Sequence, residues 1–363
     1  NFTQYNEDFC ELFIENRLFY ILSGIILNFF NKDQENGFFS RFESIQEDDI
    51  NNFFNFTISI LINISQFNEL FIKRIWKILK PEFFFELIHN GDESIVFKCS
   101  KLSLLWIEKS NIKIIVDTAV EGILHILHRQ DFTLNEECID ILLYGLIKYF
   151  NKEDQNILEP RLFQQFPIQL LLRDIYTSDQ YTKTTIIHSL VLTGHMICCG
   201  FISNFYTESL FPLLLNNKKT ELQQNAYWCL DMAIIKNKIS DKATFMHFLM
   251  DKNYENLLQC SFKTLYYSAR AMIHFLQSLS NNEFLSIINE TLILTLIRFL
   301  QVEDVDIQIG ALYCIFNFQN EVIINFAELG GLDIFHDLME NARDSKLIGH
   351  LRQYNKQIFD LGL

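Results

Sequence analysis

One helix-length pattern returns along this chain at intervals close to 42 residues, and that interval restricts the fold more than any single residue does. Its clearest copy is Gln223–Lys236, QQNAYWCLDMAIIK. Ala226, Tyr227, Leu230, Ala233 and Ile234 fall at helical spacing and form an apolar arc wide enough to be buried. Ala269 in SARAMIHFLQSL and Ala311 in GALYCIFNFQN continue the series downstream. Steps of 42 upstream reach Thr184, Leu142, Ser100 and Ile58, each inside another helix-length apolar window.

Proline and glycine punctuate the same interval. Pro81, Pro167 and Pro212 precede short apolar runs, and proline suits a first helical turn, where its missing N–H costs nothing. Gly122 and the pair Gly330-Gly331 occupy the matching junctions elsewhere, where glycine lets one helix end and the next begin sharply. The repeating unit therefore reads as a short helix, a break, a medium helix, a polar loop and a long helix. Units of this length bury their apolar faces only against neighbours, which is the logic of armadillo and HEAT arrays. The expected fold is all-α: a right-handed superhelical solenoid of about eight such repeats. The expected division is an N-terminal helical segment and polar loop over 1–52, repeats over 53–320 and a capping repeat over 321–363. Asn31–Asn52 is the most polar stretch and is expected to be a long loop.

QNAYWCLDM resembles the third helix of an importin-alpha armadillo repeat, which carries Asn-Ala, a Trp two residues after the Ala and an Asn four residues after the Trp. Asn225, Ala226 and Trp228 match, whereas Met232 stands at the asparagine place. In GALYCIFNF, Ala311 and Asn317 match and Tyr313 replaces the Trp. The end of the chain, FAELGGLDIFHDLMENARDSKLIGHLRQYNKQIFDL, also looks like the last repeat of that family. The resemblance covers about 200–363 and implies a non-enzymatic protein-interaction scaffold that works without a cofactor, with a degenerate peptide groove. Trp228 would pack on the stem of a bound lysine. Tyr313 and Asn317 would repeat that contact in weakened form, and Asp231 would attract basic cargo. Trp228 packed between helices is the competing reading. The family also implies an alternative function, nuclear import through basic localisation signals, although no complete Trp/Asn pair is present.

A net charge of −15 disfavours non-specific nucleic-acid binding and favours basic protein partners by steering. The partners expected are therefore other proteins, basic peptide segments among them, with the chain a subunit of a larger complex, no nucleic acid as partner and no membrane span. Cysteines at 10, 99, 138, 198, 199, 229, 260 and 314 sit mostly in apolar runs without CxxC, as reduced core residues of an intracellular protein do. Cytoplasm and nucleus are the expected compartments. No charged n-region marks a signal peptide at the start of the sequence. Leu18–Phe30 is uncharged but too short to span a bilayer. Thr184–Thr207 lacks Asp, Glu, Lys and Arg over 24 residues, yet its histidines, serines and threonines suit a long helix running into the next unit.

Chemistry-bearing groups are sparse. Glu121, His125 and His128 share a helix face at i, i+4 and i+7, a spacing that can clasp a metal, but no fourth ligand is marked and an ordinary surface is expected. His188 and His195 also share a face and read as satisfied core histidines. Cys198 and Cys199 are adjacent on a helix and point to different sides. No phosphate loop, dinucleotide fingerprint or nucleophile elbow occurs. Asp48-Asp49 lies among polar residues that would leave both carboxylates solvated.

Overall fold

A computed structural model describes residues 47–67, 69–78, 81–129, 133–152, 163, 166, 168–215, 220–248 and 262–363. Leu18–Phe30, most of Asn31–Asn52, Pro167, Cys10 and Cys260 lie outside these residues. The described chain holds eighteen α-helices and no strand beyond one isolated parallel bridge, Phe205 to Ile239. The fold is all-α, a helical-repeat solenoid, and it divides into two compact units: residues 1–171 with 180–188, and residues 172–179 with 189–363.

In the first unit, α1 (Glu47–Ser65), α4 (Glu93–Lys109) and α6 (Glu136–Phe150) are the long helices, and each packs on the next. Between them run α2 (Glu69–Ile78), α3 (Pro81–Asn90) and α5 (Lys113–Leu127). Polar connectors act as caps. The Asp92 carboxylate accepts from Ile95 N–H at 2.8 Å and Asn135 Oδ1 from Cys138 N–H at 2.8 Å, satisfying donors that a helix start leaves orphaned. Cations from one repeat close helix ends in its neighbour: Arg129 donates to Ile88 O and Gly91 O, and Lys152 to Ser110 O at 2.6 Å. The repeat interval thus becomes a physical neighbour distance, since Trp106 also donates to Ser65 Oγ, 41 residues earlier.

The second unit contains parts of α7 (Ile168–Thr177) and α8 (Lys183–Cys198), then a 3-10 turn (Thr207–Leu210) and α9 (Phe211–Leu214). It continues with α10 (Thr220–Ile235), α11 (Lys242–Phe248), α12 (Phe262–Gln277), α13 (Asn281–Ile287), α14 (Glu290–Phe299) and α15 (Val305–Phe316). It closes with α16 (Asn320–Glu328), α17 (Gly331–Asn341) and α18 (Ser345–Asp360). The long helices α10, α12, α15 and α18 pack in series. Ala226, Ala269 and Ala311 are each fully buried where those helices cross. Gly330 adopts φ +81° between α16 and α17, the sharp turn its sequence position implies.

Four expectations are corrected. Gly122 lies inside α5, where the first two helices of a repeat are fused into one. A Cβ there would come within 2.5 Å of Phe84 Cε1, so the glycine serves a close crossing of α3 and α5. Glu47–Asn52 opens α1, whose residues 47–52 are therefore helical and not loop. The step to Thr184 lands inside α8 but out of phase, because Thr184 is exposed, while Thr185, Ser189 and Leu190 are buried. Long helices start at Glu136, Lys183 and Thr220, so a long interval is followed by a short one and a fixed ruler enters the middle helix in its first turn, ahead of its buried positions. Finally, Cys99, Cys138, Cys229 and Cys314 are buried, whereas Cys199 is exposed at the end of α8.

Candidate interaction face on the long helices

The long helices of the second unit carry the partner-binding candidates Trp228, Asp231 and Tyr313, with Asn317 at the end of one of them. Trp228 projects from α10 half-buried, across the backbone of Gly194 on α8. A Cβ on Gly194 would stand 2.1 Å from Trp228 Cζ3, so the indole occupies the space a side chain would take. The His195 ring meets the indole edge-on at 5.3 Å. Burial lowers the His195 pKa, which favours the neutral ring. Met232, half-buried, and Ile235, 47% exposed, follow Trp228 at i+4 and i+7 on the same helix.

Asp231 is 2% exposed and turned toward α12. Its Oδ2 pairs with Arg270 Nε at 3.1 Å, and its Oδ1 meets His274 Nδ1 at 2.5 Å. The expectation of a carboxylate offered to basic cargo is corrected: this one is engaged inside the fold, because a buried charge without such partners would be costly. What faces outward is Arg270. Burial opposes its charge, but the Asp231 carboxylate, then the Tyr266 hydroxyl and the Asp304 carboxylate on the facing wall, more than offset this, and its pKa is raised.

Tyr313 on α15 is 43% exposed. Asn317, the C-cap of that helix, donates its amide to Tyr313 O at 3.2 Å and to Tyr354 Oη on α18 at 2.8 Å. The amide nitrogen therefore braces α15 against α18, and the side-chain carbonyl is the group left to meet a ligand.

Between α12 and α15 lies a groove of about 490 Å³. Tyr266, Arg270 and His274 form one wall, and Asp304, Asp306 and Ile309 the other. Asp304 is held by capping α15, with its Oδ1 accepting from Ile307 N–H at 3.0 Å. Arg270 and His274 were missed in the sequence, yet a signal was available. Asp231 and His274 are 43 residues apart, one repeat, so a carboxylate and an imidazole separated by the period mark a cross-helix pair.

The first unit repeats the device. Asp140 on α6 meets His188 at 2.7 Å, with the Tyr144 ring 5.4 Å from the imidazole. Lys101 sits 4.0 Å over Phe97 and 3.7 Å from Glu137. His188 and His195 are half-buried and not core residues. His125 lies 3.9 Å from Glu121 and 5.0 Å from the His89 ring, while His128 Nδ1 is at 2.9 Å from Leu124 O. Among the described residues no group of three ligating side chains is gathered for a metal. The buried thiols are inert: burial pushes Cys314 up to about 12 and raises Cys99, Cys138 and Cys229 likewise. No described helix is long and apolar enough to cross a membrane.

No family model and no curated protein matches this chain. Among solved structures it is similar to an engineered protein of the Northeast Structural Genomics Consortium, at 15% identity and a TM-score of 0.63, over 96% of this chain and 80% of that one. A second engineered protein from the same source matches at 13% identity and a TM-score of 0.47, over 66% and 96% of the two chains. A designed armadillo repeat protein in complex with the peptide (KR)4 matches at 14% identity and a TM-score of 0.31, over 75% and 96%. The first of these likenesses is one of fold.

Proposed function

We propose that this chain is a non-enzymatic interaction scaffold that receives a segment of a partner protein on the long-helix face of its second unit. The observation that carries the reading is the series of partly exposed side chains Trp228, Arg270 and Tyr313 at matching positions on successive long helices, with Arg270 lining the α12–α15 groove. Trp228 and Arg270 are held by their neighbours, so little ordering of these two is left to be done on binding. Aromatic and arginine side chains are also the residue types that most often anchor interfaces. A place in a larger assembly follows naturally for such a chain.

Nuclear import is the narrower reading, and two residues speak to it. Met232 cannot clamp a peptide backbone, and the Asn317 amide nitrogen is engaged with Tyr354. Import activity would therefore rest on Trp228, Tyr313 and the Asn317 carbonyl alone.

A random peptide library displayed against the purified chain tests the scaffold reading. Selected peptides are expected to lose binding to Tyr313→Ala and to Trp228→Ala, and to retain it with Phe359→Ser, a change at an exposed position near the end of α18. Binders indifferent to both face variants, or no binders, would overturn it. A lysine-rich localisation peptide titrated at low and physiological salt decides the narrower reading.

A further inference from the structure

The groove between α12 and α15 presents both signs of charge. On the α12 wall, Arg270 reaches outward from a carboxylate, Asp231, that is 2% exposed and also holds His274. On the α15 wall, Asp304 and Asp306 stand at the start of the helix, Asp304 fixed there as its cap. Neither wall is free to rearrange cheaply. Turning Arg270 away would strip the buried Asp231 of a partner, and moving Asp304 would uncap α15.

An all-basic segment laid along this face would bring a cation against Arg270. An all-acidic one would bring a carboxylate against Asp304 and Asp306. Like charges set together across a partly desolvated contact are penalised, and that penalty is how such surfaces choose partners. We infer that the groove selects a two-signed partner segment, with a carboxylate side chain seated against Arg270 and a lysine or arginine beside Asp304 and Asp306. Tyr266 and Ile309 supply the apolar walls along which the stem of the basic side chain lies. The inference rests on the scaffold reading and adds the charge pattern of the partner, with Arg270 as the specificity-determining residue.

The test takes a peptide selected on the face and remakes it in three versions that differ only at its charged pair: one acidic and one basic residue, two basic, or two acidic. Fluorescence anisotropy with the full chain at physiological salt is expected to rank the mixed version first, by about tenfold over each of the others. Arg270→Gln would collapse the preference for mixed over all-basic. Because that variant strips a buried carboxylate of its partner, Asp231→Asn with Arg270→Gln provides the same readout without the stranded charge. Asp304→Asn with Asp306→Asn keeps a capping side chain and would collapse the preference for mixed over all-acidic. If the all-basic version binds as tightly as the mixed one, the charge pattern is wrong while the scaffold reading stands. If all three versions bind equally to the wild type and the face variants, both fail together.

Discussion

Asp231 Oδ1 and His274 Nδ1 meet at 2.5 Å across two neighbouring long helices, 43 residues apart in sequence. Arg270 approaches the other oxygen, so one buried carboxylate ties α10 to α12 by two bonds. The three residues are unequally exposed. Asp231 is almost wholly buried, whereas 39% of the Arg270 side chain and 35% of the His274 side chain reach solvent. Removing Arg270 should therefore cost more than its own exposure suggests, about 3–5 kcal/mol, because it leaves a buried charge under-compensated. Asp231→Asn should cost less, and the double variant should be more stable than Arg270→Ala alone. Urea unfolding of the three variants decides this. Strict additivity would show that the pair does not act as a unit.

Gly194 and Trp228 give a second expectation. Gly194→Ala places a Cβ where the indole ring lies, at 2.1 Å from Cζ3, so the ring must lift from α8. Overpacking of this kind costs about 1–3 kcal/mol. Trp228 emission should shift red as the ring gains water, and the change should vanish in the background of Trp228→Phe. An unaltered spectrum with unaltered stability would mean that the ring has room to move aside at no cost.

Arg129 carries a third. Its guanidinium closes the C-terminal carbonyls of α3 and the following turn, at Ile88 O and Gly91 O. Arg129→Met keeps the aliphatic stem and removes the donors, leaving acceptors unsatisfied at a cost of about 1–3 kcal/mol. Hydrogen exchange should rise first in α3 and in the start of α4, the elements that this contact joins. Exchange that rises evenly through the unit would indicate a global effect instead.

The sequence made the repeat legible because burial is periodic: Ala226, Ala269 and Ala311 are buried as the interval implies. The helix caps Asn135, Asn289, Asp304 and Asp344 were passed over in the sequence, although each is a short polar side chain standing just before a helical run. The reading faltered where glycine has two uses. Gly122 and Gly330 look alike in sequence, but one permits a close crossing inside a helix and the other a left-handed turn. It faltered again at Asp231, because a carboxylate on an apolar helix is ambiguous until its cross-helix partners are known. Those partners lie one repeat away, and only packing brings them together. A family pattern drew attention to Trp228 and Tyr313 but passed over Arg270, which belongs to the same row.

The capping box of α13 predicts how the second unit responds to acid. Glu283 accepts from Ser280 N–H and Ser280 Oγ, each at 2.7 Å, and from Lys242 Nζ at 3.1 Å. These bonds, the Ser280 backbone N–H foremost, hold its pKa down at about 2, below the ordinary glutamate value. Between the two values the unfolded chain binds the proton and the folded chain does not, so protonation favours unfolding there. The stabilisation from Glu283 is therefore complete above about pH 4.5 and is lost as pH falls toward about 2. Glu283→Gln retains an acceptor without the charge. Its stability deficit relative to the wild type, measured by urea unfolding, should be constant at neutral pH and shrink steadily through that acid window. A deficit that stays constant down to the lowest pH would show that Glu283 acts through its shape and its neutral hydrogen bonds, and that the charge on the box contributes nothing to holding α13 against the Lys242 side chain.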